Sequence, residues 1–176
     1  MTFNFEFMNT RKTYLSCILL LSVINVFSQT QKAMAPAAAS PIQYGSPITL
    51  GQAEKMMAAA VQEAERNGWT MAIAIVDTGG NLVAFQKMDN TQIGSIEVAI
   101  GKAKTANNFK RSTKIFEDLI ANGGSGLRIL SLPGAVPLEG GEPILFQGKI
   151  IGGIGASGMQ SIQDVQVAKA GLAALN

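Results

Sequence analysis

The 176-residue chain contains no histidine. This excludes serine–histidine and cysteine–histidine nucleophile systems, imidazole-ligated zinc or iron, and histidine general bases. Its one cysteine, Cys17, falls in an N-terminal leader, so the mature chain is expected to have neither thiol nor disulfide and to be stabilised by packing alone. Charge is scarce and balanced. Fourteen basic against twelve acidic side chains leave nothing that asks for nucleic acid or an acidic membrane. No internal repeat of fixed period is found. What is present, a 47% hydrophobic share and 19 glycines, argues against disorder and for one globular domain rich in tight turns.

Residues 1–28 read as a secretory signal. Arg11 and Lys12 form the positive end, Leu15 to Val26 the apolar stretch, and Val26-Phe27-Ser28 a cleavage site before Gln29. Met8 is the expected start, because Glu6 ahead of the basic pair is out of character for a signal. The apolar stretch is about a dozen residues, short of the roughly twenty that a spanning helix needs, so no stable membrane anchor is expected. Residues 29–45, small and interrupted by two prolines, have linker composition and are expected to be a flexible or loosely docked arm, and 46–176 form the domain.

The domain centres on a hairpin. Met71 to Val76 is an apolar strand, Asp77-Thr78-Gly79-Gly80 has turn chemistry, and Asn81 to Lys87 returns as a second strand. The first strand is apolar on both faces and is expected to be central in a covered sheet. Before it, Thr49 and Gln52 make a capping box for a helix with Leu50, Ala53, Met57, Ala60, Val61 and Ala64 as its stripe, stopped at Asn67-Gly68. After it, helical period runs from Thr91 to Phe109, and Ser112 or Thr113 caps a further helix striped by Ile115, Phe116, Leu119 and Ile120. Leu127 to Leu130 reads as a short strand. Pro143 to Phe146 and Lys149 to Ile154 form a second hairpin around Gln147-Gly148, and Ser161 with Asp164 caps the last helix. The expected class is α+β, with about five mostly antiparallel strands.

Several motifs carry a chemical reading beside a plain one. Gly153-Ile154-Gly155-Ala156-Ser157-Gly158 fits a dinucleotide fingerprint, but the chain offers no following parallel strand and no acidic residue about twenty positions on. The stretch from Gly155 to Gly158 precedes a helix, whose free N–H groups suit an anion; a tight strand-to-helix connection explains it equally. Ser157 as a nucleophile would need a base such as Lys102, and the spacing does not show that they meet. Lys102, Lys104, Lys110, Arg111 and Lys114 gather near one helix end, either as a solvated basic face or facing the carboxylates or phosphates of a ligand. Asp77 and Asp164 are explained as turn former and helix cap.

The succession Val76-Asp77-x-Gly79-Gly80-x-Leu82-Val83, Lys87-Met88-Asp89, Lys102-Ala103-x-Thr105-Ala106, Gly140-Gly141-x-Pro143-Ile144, Gly152-x-Ile154-Gly155-x-Ser157-Gly158 and Gln163-Asp164 resembles the GlcG/HbpS haem-binding family, which includes the C-terminal domain of PduO-type proteins. No single motif is specific; their order over 48–176 is. The resemblance implies a profilin-like fold, assembly into dimers up to octamers, haem as cofactor and, for an exported member, a membrane sensor kinase as partner. It also implies a threonine reaching the haem iron at the position of Thr113; from charge alone, the neighbouring Lys110, Arg111 and Lys114 are expected partners for the propionates. Family haem sites also use a histidine, which this chain lacks. The iron is therefore expected to take an oxygen ligand such as Thr113, a methionine or no protein ligand.

The resulting expectation is an exported haem- or small-anion-binding protein, periplasmic or extracellular, with Thr113, Arg111, Lys110, Lys114, Lys102, Gly155 and Ser157 around the ligand. Two alternatives stand beside it. One is an isomerase, lyase or hydrolase acting on a small carboxylate with Lys102 as base. The other is a signalling or structural oligomer that works through its surface.

Overall fold

The computed structural model describes residues 41–175. The expected leader (1–28), its Cys17 and most of the expected linker lie outside the described residues. Helix α1 (Leu50–Arg66) is followed by strands β1 (Ala72–Asp77) and β2 (Leu82–Lys87), then by helices α2 (Ser95–Asn108) and α3 (Thr113–Ala121). A 3-10 segment (Gly124–Ser131), strands β3 (Gly141–Phe146) and β4 (Lys149–Ser157) and helix α4 (Ser161–Ala173) complete the order.

The four strands form one antiparallel sheet in the order β2-β1-β4-β3. Strand β1 is central and buried up to Val76, as its two apolar faces predict. Its alternation sorts the layers. Ile73 and Ile75 point into a core built with Ala53, Met56, Ala60 and Ala64 of α1 and Val167 and Ala168 of α4. Ala72, Ala74 and Val76 point the other way, onto Ala99 and Ala103 of α2. Small residues on both sides of that second interface let α2 lie almost on the backbone of the sheet. A Cβ at Gly153 would fall against the Ala103 carbonyl, and one at Gly155 against the Ala99 carbonyl.

Local signals are met closely at α1, where Thr49 and Gln52 make the reciprocal cap and Gly68 follows with φ 68°. The stripe differs in one place: Leu50 is exposed and Met56 is buried instead. The turn after β1 is also as read. The Asp77 Oδ1 accepts from the N–H groups of Gly79 and Asn81, both at 2.8 Å. Burial pushes the Asp77 carboxyl up, but these hydrogen bonds outweigh it and hold the group below the usual carboxylate range. A depressed pKa gives stability that is present above the unfolded value and lost as pH falls through the folded one. Asp77→Ala is therefore expected to cost about 1 kcal/mol at neutral pH. In urea titrations its penalty should shrink below about pH 4.

The expected fifth strand is absent. Leu127 to Leu130 lies inside the 3-10 segment, where three-residue spacing puts both leucines on one side, exposed at 48% and 66%. Gly123 and Gly124, with φ of 68° and 54°, turn the chain there, and Gly126 packs so close to the Leu119 carbonyl that no Cβ would fit. A parallel bridge from Tyr44 to Ile150 is the other addition to the sheet among the described residues. The end of the stretch read as linker is thus docked: the Tyr44 hydroxyl donates to the Asn107 carbonyl at 2.8 Å and Gly45 N–H to the Ile150 carbonyl at 2.7 Å. Helix α4 is capped by Gln160 and Gln163, not by Ser161 and Asp164. Helix α3 buries Thr113 and Phe116 and leaves Ile115 and Leu119 exposed.

Candidate functional site

The basic cluster of the sequence does not exist as one patch. Lys102 turns inward from α2 and is 2% exposed. Its ammonium donates to Asp164 Oδ2 on α4 at 2.7 Å and to the Ala156 carbonyl on β4 at 3.1 Å. Asp164 is equally buried, and the N–H of Met159 donates to its Oδ1 at 3.1 Å. The connection ahead of α4 does meet an anion, then, and the anion is the chain's own carboxylate: the Met159 N–H lies before the N-cap Gln160. Desolvation pushes the Asp164 carboxyl above its usual range, against the opposing pull of Lys102.

This ion pair lines a cavity of about 330 Å³ together with Gln92, Gly94, Ser95 and Val98 near the start of α2, Leu138, and Ser157, Met159 and Ser161 at the β4–α4 junction. Ser157, placed by the last residue of β4, shares one hydroxyl–hydroxyl hydrogen bond of 3.3 Å with Ser95. Lys102 and Ser157 therefore do meet at one cavity, although no hydrogen bond joins them. Lys102 as a general base has the burial that the reading asked for, but its charge is paired with Asp164.

Gly155, expected beside the ligand, lies in the sheet beneath a helix. Helix α2 covers it, with Ala103 N only 2.6 Å from where its Cβ would be. Thr113 is also closed. It has no exposure, and its hydroxyl accepts from the Gly141 N–H at 2.9 Å and donates to the Gly141 carbonyl at 3.3 Å. The hydroxyl expected to reach the iron is thus engaged with the Gly141 backbone on both its donor and its acceptor side.

The cations around Thr113 lie on the α2–α3 turn and face outward. Lys110, at φ 56°, donates to the Ile42 carbonyl and sits 4.3 Å above the Tyr44 ring. The Arg111 guanidinium lies over Phe116 at 5.7 Å and is exposed, and Lys114 pairs with Asp118 one turn on. Among the described residues no three carboxylate or thiol groups gather as a metal site, and no helix is long and apolar enough to cross a membrane.

Sequence reading missed Ser95, Val98 and the pairing role of Asp164. One signal was available: Ser95, Val98 and Lys102 are spaced i, i+3, i+7 and share a helix face. Nothing local ties Lys102 to Asp164, 62 residues away.

A family described as "Haem degrading protein HbpS-like" matches residues 48–173. Protein GlcG of Escherichia coli strain K12 is 39% identical over 105 residues, covering 60% of this chain and 77% of GlcG. A crystal structure of a PduOC–haem complex superposes with a TM-score of 0.68 at 28% identity, over 74% of this chain and 96% of that one. A double mutant of HbpS from Streptomyces reticuli gives a TM-score of 0.69 at 32% identity, over 82% and 99% of the two chains.

Proposed function

Because this chain belongs to the HbpS-like family, we propose that it is an exported haem-binding protein that works as a homo-oligomer. The observation that carries the reading is its likeness to the haem-loaded PduOC structure over nearly the whole of that chain. A bound haem supplies a redox-active iron, which is what a membrane sensor partner would read.

The residues present fit the ring and its propionates better than they fit the iron. No histidine is available, and Thr113 is closed. On α3, Ile115 and Leu119 are one turn apart and exposed, and the adjoining 3-10 segment exposes Leu127 and Leu130. An apolar surface next to exposed cations suits a planar amphiphile with two carboxylates. Arg111 and Lys114 would hold the propionates, and Ile115 and Leu119 would take the ring.

Titration of haemin into the purified protein is expected to give a saturable Soret shift. Arg111→Ala should weaken it several-fold through loss of a charge-assisted hydrogen bond, and Ile115→Glu should weaken it further. Thr113→Ala should leave the band position unchanged. Absence of any Soret change, or full affinity in the Arg111 and Ile115 variants, would overturn the assignment.

A further inference from the structure

We propose that the cavity between the first turns of α2 and α4 is a binding site for a short aliphatic carboxylate, received by the Lys102 ammonium and the Ser95–Ser157 hydroxyl pair. The site is separate from the haem reading and does not rest on it. Its volume of about 330 Å³ is at the small end for ligand pockets, which start at roughly 300 Å³.

Donors outnumber their partners on the cavity floor. An ammonium has three N–H donors, and among the described residues Lys102 has two acceptors, Asp164 Oδ2 and the Ala156 carbonyl. Ser95 and Ser157 are buried and share one hydrogen bond, which leaves one hydroxyl hydrogen unspent whichever of them donates. Buried donors without acceptors are costly, and both lie on the wall of one cavity. Both oxygens of the one carboxylate on the cavity wall are already engaged. Asp164 takes Lys102 on one oxygen and the Met159 N–H on the other. At the rim, the Ser161 hydroxyl donates to Glu117.

Donors to spare, beside a carboxylate already matched by an ammonium, favour a ligand rich in acceptors. The other walls choose its body: Val98, Leu138 and Met159 are apolar, and Leu138 and Met159 stand exposed at the mouth. Ile93 and Ile162, next in sequence to the lining residues Gln92 and Ser161, are among the most exposed apolar side chains described, at 83% and 67%. The site thus offers a polar floor for one carboxylate and an apolar collar for a chain of a few carbons. Lys102 can hold Asp164 on one N–H and the ligand on another, so the ammonium lies between two carboxylates and the pair need not open. Sequence proximity gives no hint of this arrangement, because its parts come from α2, β4 and α4.

The test uses the full chain with sodium butyrate as probe, butyramide as its uncharged counterpart and butylammonium as the opposite charge, read by calorimetric titration. Butyrate should bind saturably, butyramide at least tenfold more weakly, and butylammonium not at all. Replacing both serines by alanine removes a matched pair and should leave folding nearly unchanged while weakening butyrate about tenfold. Leu138→Glu, at an exposed rim position, should weaken it by repulsion without touching the floor. No saturable heat with butyrate, equal binding of butyramide, or unchanged affinity in both variants would overturn the assignment.

Discussion

Lys102→Ala is expected to lower the free energy of unfolding by about 3–5 kcal/mol, a large part of the stability of a domain this size. The lysine leaves behind a carboxylate at 4% exposure that keeps the Met159 N–H but loses its only cation. The backbone packs closely around the intact pair. Gly140, held at φ 118°, already packs so tightly that a Cβ there would be 2.9 Å from Lys102 Nζ and 2.8 Å from Asp164 Cβ. Removing both charges together, as Lys102→Met with Asp164→Leu, should recover most of the loss, because an apolar pair of similar volume carries no desolvation cost.

The same variant carries a pH signature. Burial raises the Asp164 pKa in the folded protein, so the folded state binds more protons than the unfolded state between the usual value of 3.8 and the folded value. Stability from this group therefore falls as pH rises through that window. Without Lys102 the opposing pull is gone and the window widens upward. Urea titrations should show the Lys102→Ala penalty largest near neutrality and reduced towards pH 4, where Asp164 enters the fold protonated.

Gly155→Ala is the second large effect, expected at about 3 kcal/mol or more, or as loss of the soluble fold. The added methyl would overlap the Ala99 carbonyl and come within 2.6 Å of Ala103 N, so it meets helix backbone on one side while β4 is tied into the sheet on the other. Relief would require α2 to move off the sheet, opening the interface of Ala72, Ala74 and Val76 with Ala99 and Ala103. The same substitution at Gly51 should have the opposite sign. Gly51 lies in the first turn of α1, where a methyl would meet nothing within 4 Å, so Gly51→Ala should stabilise by about 0.4–1 kcal/mol through the unfolded chain. Chemical denaturation of the two variants side by side distinguishes backbone overlap from any general effect of adding a methyl.

Where a signal is local, the sequence was sufficient. The Thr49–Gln52 cap, the Asp77 turn and the Gln147-Gly148 turn each depend on residues within four positions of one another, and each is found as read. The central place of β1 was legible too, because a strand apolar on both faces must be covered on both. The Leu127–Leu130 strand was misread because a run of four apolar-rich residues has no period long enough to separate a strand from a 3-10 turn. Asp164 was misread because a carboxylate in the first turn of a helix is explained locally as a cap, and its true partner is on another element.

Composition, turns, caps and alternation determined the class of fold, its hairpins and the absence of imidazole chemistry, since each of these is a property of a residue or its near neighbours. Which cations face solvent and which are buried was decided only in three dimensions. Lys102 and Arg111 look alike in the sequence, yet the close approach of α2 to the glycines of β4 draws one into a buried pair and leaves the other outside. That choice depends on packing distances between elements more than fifty residues apart, and no local pattern encodes them.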